Sequence, residues 1–196
     1  MIGWVAHVLA DFLEEVGGAG LRAHAVAAAG FEAGVRFRLD ADYADAACRA
    51  MLDAALARAG LTEEAAFAAF APYFLARSRD AFPGFFEASG GSVRAFLLHQ
   101  PETHNVLAAG LREGDSRAAV ARKFAVEPTP TGVRLRYRSP NRLAGLYVAV
   151  ARRLGEEMGQ PVSARFEEGG PGDERCVIAV DIAAVPASAA LAEAAA

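Results

Sequence analysis

Cysteine is nearly absent. The 196 residues contain two, Cys48 and Cys176, and neither lies in a CxxC pair or at a zinc-like spacing. A disulfide framework is therefore not expected, and a reducing cytoplasm is the natural setting. Excess positive charge is missing as well. Twenty basic and 24 acidic residues leave a net charge of −4, with a pI near 5.6. Such a balance offers no footprint for nucleic acid. Uncharged apolar runs are short, and none approaches the roughly 18 residues of a spanning helix. The start, MIGWVAHVLADFLEEVGG, has no basic segment, and Asp11, Glu14 and Glu15 interrupt it, so it does not read as a signal peptide. A soluble protein without a membrane partner is expected. There is no glycine-rich phosphate loop and no Ser/His/Asp arrangement in a recognisable context, so no catalytic residue is assigned.

Apolar residues are plentiful, at 54%. They suffice for one domain or two small subdomains sharing a core. Val5, Val8, Leu9, Phe12, Leu13 and Val16 form a helical stripe over residues 1–16, which Gly17 and Gly18 should stop. A second helix is expected over about 21–29. Asp45 is placed to cap a third, AACRAMLDAALARAG, with Gly60 at its end. Thr62, Glu63 and Glu64 open another, with Phe67, Phe70, Tyr73 and Phe74 on one face. FPGF and ASGG are breaks, and Ser92 caps the helix that follows.

After residue 125 the pattern changes period. In GVRLRYRS, Val133, Leu135, Tyr137 and Ser139 point one way and Arg134, Arg136 and Arg138 the other, a half-buried antiparallel strand with a solvated arginine face. Helical spacing returns over 143–158. VSARFEE and RCVIAVDI then flank GGPGD as a hairpin. Helices followed by an antiparallel sheet crossed by a helix make an α+β fold.

The stretch SVRAFLLHQPETHNVL puts Pro101 in what otherwise reads as one long helix, with His99 and His104 on either side. Proline inside a helix costs about 3 kcal/mol, but in a first turn it costs little. One helix should therefore end near His99 and a new short one start at Pro101. Glu102 then lies in its acidic first turn, and His104 is mounted on an element able to tilt as a unit. Position alone does not separate either histidine from a packed or surface residue. Nothing clusters with His7 or His24.

The order of these pieces resembles the H-NOX family, the haem nitric-oxide/oxygen-binding sensor domains. The likeness runs from MIGWV, through DYADAACRAMLDAALARAGLTEEAAFAAFAPYF and SVRAFL, to His104 eight residues after Phe96, and on to YRSPN, which corresponds to the family's Tyr-x-Ser-x-Arg motif. The resemblance implies a helical subdomain over about 1–62 and an α/β subdomain over about 63–185 with about four antiparallel strands. The haem pocket would lie between them, and residues 186–196 would be a flexible Ala-rich tail. His104 would be the axial ligand of a ferrous b-type haem, held non-covalently, as the lack of a CxxCH agrees. Tyr137 and Ser139 would donate to the haem propionates. The motif's arginine is Asn141 here, with Arg142 next to it. An arginine fork is stronger than a neutral amide, so weaker propionate anchoring is expected unless the chain turns Arg142 back. The connector over 108–132 departs too, and lacks a proline that in family members often presses on the haem.

In oxygen-binding members a distal tyrosine follows the motif. Aligned without gaps, this chain has Leu146 there, and a one-residue shift would bring Tyr147 instead. Neighbouring helical side chains differ by about 100°, so only one can face the iron. With Val5, Leu9, Phe74 and Leu146 apolar, selectivity for NO and CO over O₂ is expected. No kinase, cyclase or phosphodiesterase sequence follows, so the resemblance implies output to a separate histidine kinase or cyclic-di-GMP enzyme after release of His104. The alternative is a haem-free protein-interaction or small-ligand module on the same fold.

Overall fold

The computed structural model describes residues 3–38, 40–111 and 114–183. Its elements are α1 (Gly3–Ala28), α2 (Asp45–Ala59), α3 (Glu63–Ala81), α4 (Pro83–Glu87), α5 (Val93–Leu98), α6 (Gln100–Ala109), α7 (Gly114–Ala121), β1 (Phe124–Pro128), β2 (Gly132–Arg138), α8 (Ala144–Glu157), β3 (Val162–Glu168) and β4 (Arg175–Ile182). The four strands form one antiparallel sheet in the order β1-β2-β4-β3. The fold is α+β. The expected tail over 186–196 lies outside the described residues.

Local chemistry sets most of the boundaries. Thr62 and Ser92 cap α3 and α5, each accepting a backbone N–H at 3.3 Å. Gly60 closes α2 in the left-handed region at φ 66°, where a side chain would be strained. The first helix does break at the glycine pair: Gly18 takes φ 71° and ψ 179°, outside the helical region, and a second helix follows that kink within the span of α1. One expectation needs correction: Asp45 does not cap α2. Ala44 holds the cap position without a side-chain bond, and Asp45 sits in the first turn, where the helix dipole favours a carboxylate. The connector over 108–132 also contains α7 and β1, which the sequence pattern does not reveal.

In β2 the alternation holds. Val133, Leu135 and Tyr137 are buried, and pair across to Val180, Ile178 and Cys176 of β4. The arginine row is exposed; Arg136 lies 2.8 Å from Glu127 of the adjoining β1, and Arg134 reaches across β4 to within 2.8 Å of Glu167 of β3. Such exposed pairs contribute little.

Two apolar clusters make the core. One gathers Val8, Val26, Met51 and Phe70 from α1, α2 and α3. The other gathers Leu97, Leu135, Leu154 and Ile178 around the sheet and α8. Helix α3 contributes to both, with Phe70 in the first and Leu75 in the second, and α8 does the same with Leu146 and Tyr147. Gly3 lets the start of α1 lie against the backbone around Arg38 and Ala41. A Cβ there would stand 1.8 Å from the Arg38 carbonyl oxygen, and the Gly3 N–H donates to Ala41 at 2.9 Å.

Leu135 is wholly buried in the sheet-side cluster. Leu135→Ala is expected to lower unfolding free energy by about 2–5 kcal/mol, read as a lower urea midpoint with an unchanged slope.

Candidate functional site

Between the two clusters lies a cavity of about 400 Å³, within the size range of cofactor sites. Helix α6 forms one wall. His99 takes the junction position between α5 and α6, and Pro101 falls in the first turn of α6, where no helical hydrogen bond is lost. The break expected from sequence is present.

That break decides how His104 is held. Its Nδ1 donates to the carbonyl of Gln100 at 2.8 Å, one turn back on the same short helix. A carbonyl only accepts, so the proton sits on Nδ1 and Nε2 keeps its lone pair. The ring packs edge-on against Phe124 of β1, centroids 4.4 Å apart. Burial, then the charge of Lys123, push the imidazole down to about 4 against the opposing Gln100 bond. Near pH 7 it is neutral, the form that binds a metal.

The remaining walls are largely aromatic. Trp4 and Val5 come from α1, Phe74 and Ser78 from α3, and Phe82, Phe85, Phe86 and Phe96 from the segments that follow. Trp4 Nε1 donates to Ser78 Oγ at 3.3 Å, and its ring meets Phe82 edge-on with centroids 5.1 Å apart. Gln100 also lines the cavity, and its Oε1 is buried without a partner.

The polar end is the turn between β2 and α8. Ser139 and Asn141 are buried and line the cavity. Tyr137 stands behind them: its hydroxyl donates to Asn141 Oδ1 and accepts the Leu143 N–H at 3.0 Å. Burial raises that phenol to about 12. Arg142, at φ 53°, turns outward to Glu174 at 3.1 Å and is more than half exposed.

The structure thus brings His104, Val5, Phe74, Ser139 and Asn141 to one cavity, with Tyr137 reaching it through Asn141. Leu9 and Leu146 line a smaller apolar cavity of about 170 Å³ that shares Val5 and Asn141 with the first. Tyr147 points to the sheet side. Its ring packs on Phe124 at 5.7 Å, and its hydroxyl is buried without a partner. Sequence reasoning missed Trp4, Ser78, Lys123 and the pair Asp42 and Asp45, all of which line the large cavity. For two of them a signal existed: Trp4 is the sole tryptophan and Lys123 the sole lysine.

The chain matches a family model described as Haem-NO-binding over residues 2–165. No curated protein matches it. Among solved structures, it is similar to an oxygen-binding H-NOX domain related to soluble guanylate cyclases, in its oxygen complex, with a TM-score of 0.73, 15% identity, and coverage of 93% of this chain and 95% of that one. An isoleucine-to-phenylalanine mutant of the T. tengcongensis H-NOX gives a TM-score of 0.75 at 15% identity, covering 93% and 97%. A Cs H-NOX mutant carrying 4-cyano-phenylalanine gives 0.75 at 15%, covering 93% and 96%. At these identities the structural likeness is one of fold.

The His104 environment makes the haem-free protein acid-labile. Its folded value, about 4, lies below the ordinary 6.5, so the unfolded chain takes up the proton first. Stability is complete above about 6.5 and falls as pH drops toward 4, by roughly 3 kcal/mol from this group. Urea unfolding of the haem-free protein at pH 7, 6, 5 and 4 should show that slope, and His104→Leu should flatten it.

Proposed function

Because the chain belongs to the haem-NO-binding family, whose H-NOX domains are a haem-based gas-sensor fold, we propose that it is itself a sensor of NO and CO, signalling to a separate effector through release of His104. The observation that carries this reading is a half-buried, neutral imidazole whose Nδ1 is pinned by its own short helix, at the wall of a 400 Å³ cavity rich in aromatic side chains.

The residues fit a haem. His104 Nε2 is left for iron, the phenylalanines and Trp4 suit the faces of a flat macrocycle, and Ser139 and Asn141 make a buried polar end suited to carboxylates. Tyr137 would act there through Asn141. Ferrous haem b, when bound, would supply the iron at which a diatomic gas can coordinate. Apart from that bond, His104 is held by Gln100 of its own helix and by Phe124. Helix α6 packs on α7 and β1 and joins α5 at a single residue. An imidazole no longer held by metal therefore leaves α6 able to move as a unit, the two-state element that a switch requires. A histidine kinase or a cyclic-di-GMP enzyme is the expected effector. Among the described residues no helix is long and apolar enough to cross a membrane, and a cytoplasmic setting belongs to the same reading.

Selectivity follows from donors. Bound oxygen carries partial negative charge and gains from a hydrogen-bond donor, whereas NO does not need one. Val5 and Phe74 offer none, Leu146 lines the adjoining apolar cavity, and Tyr147 is turned into the sheet-side core. The one donor of Trp4 goes to Ser78.

Purified protein supplemented with haem should show a strong Soret band, lost or displaced in His104→Ala. A colourless wild-type protein would overturn the sensor reading in favour of a haem-free interaction module. The ferrous protein should bind NO and CO and form no stable oxy complex in air. A stable oxy spectrum would overturn the selectivity. Its loss in Ser78→Ala or in Tyr147→Phe would then identify the donor.

A further inference from the structure

The polar end of the cavity lacks the cation that an arginine in the place of Asn141 would have supplied. Asn141 is neutral and engaged with Tyr137, while Arg142 faces Glu174 at the surface. Among the described residues that line the cavity there is one lysine, Lys123, and no arginine. It sits just before β1, where the Arg138 N–H donates to its carbonyl at 2.9 Å, so the backbone anchors it beside the end of β2 and the turn that holds Ser139 and Asn141. Its ammonium reaches back to 5.9 Å from the centroid of the Tyr137 ring and 5.8 Å from that of Phe124, the ring on which His104 packs.

We propose, resting on the haem reading above, that Lys123 is the residue that receives a haem carboxylate, supplying from the position before β1 the charge that the β2–α8 turn does not. An ammonium is a point charge on a flexible stem, so it needs no fork geometry to meet a carboxylate. A buried ammonium is costly unless an anion stands near it. Asp45, across the cavity at the start of α2, contributes part of that field. Burial nonetheless outweighs Asp45 and draws the amine down to about 8. A carboxylate entering the cavity would offset that desolvation.

Being the sole lysine, Lys123 can be followed chemically. The full chain is treated with an acetyl N-hydroxysuccinimide ester, with and without bound haem, and acetylation at Lys123 is read by peptide mass spectrometry against the N-terminal amine. Haem should slow it at least about fivefold, and haem dimethyl ester, which has no free carboxylate, should not. In parallel, Lys123→Met should weaken haem affinity about tenfold to a hundredfold, the range of one charge-assisted bond, with Lys123→Arg close to wild type. Both variants should bind the dimethyl ester like wild type. Equal weakening for haem and ester would make Lys123 a packing residue and overturn the proposal. So would unchanged haem affinity in Lys123→Met, or a loss in Arg142→Met in its place. In each of those cases the wild type is still coloured and the haem reading stands. A wild type that binds neither haem nor its ester ends both.

Discussion

One hydrogen bond organises this molecule's chemistry: His104 Nδ1 to the Gln100 carbonyl at 2.8 Å. It fixes the tautomer, leaves Nε2 free, and ties the ring to α6, with Phe124 of β1 packed against its edge. Because both partners ride on the same ten-residue helix, the imidazole cannot move without carrying its support along. The proline one residue after the α6 start is what makes that helix separate. A continuous helix would have spread the same contact through α5 into the sheet-side core.

Around this bond the two clusters leave space for each other only at their junction. Helices α3 and α8 contribute to both, with side chains of one face on the helical side and of another on the sheet side. The cavity lies where neither side fills the gap, and its walls are aromatic because α3, α4 and α5 each contribute phenylalanine there. A flat apolar ligand with a polar edge suits such a space: rings along the faces, Ser139, Asn141 and Lys123 at one end, an imidazole at the wall. The family match over residues 2–165 shows the haem-NO-binding family, and TM-scores of 0.73–0.75 with H-NOX structures show the same fold.

The helix break at Pro101, the caps at Thr62 and Ser92, and the alternation of β2 were readable because each depends on neighbours a few residues away. The strand β1 was not. FAVEP is five residues long, ends in proline and lacks clean alternation, and it becomes a strand only because β2 offers it a ladder. With β1 unseen, Lys123 could not be placed, although it is the sole lysine. Asp45 was misjudged for a related reason: its residue type suits a cap, and only the three-dimensional start of α2 shows it one position further in, facing the cavity.

By itself, the sequence determined the α+β class, the separate helix carrying His104, and the family resemblance, since these follow from hydrophobic period, turn chemistry and motif spacing. Tertiary structure alone decided which side chains meet. Helical phase turned Tyr147 into the sheet-side core and Leu146 toward the helical one, a positive φ sent Arg142 outward to Glu174, and pairing of β1 with β2 brought Lys123 to the cavity. Each outcome depends on where a distant segment packs, and no local pattern along the chain encodes that distance.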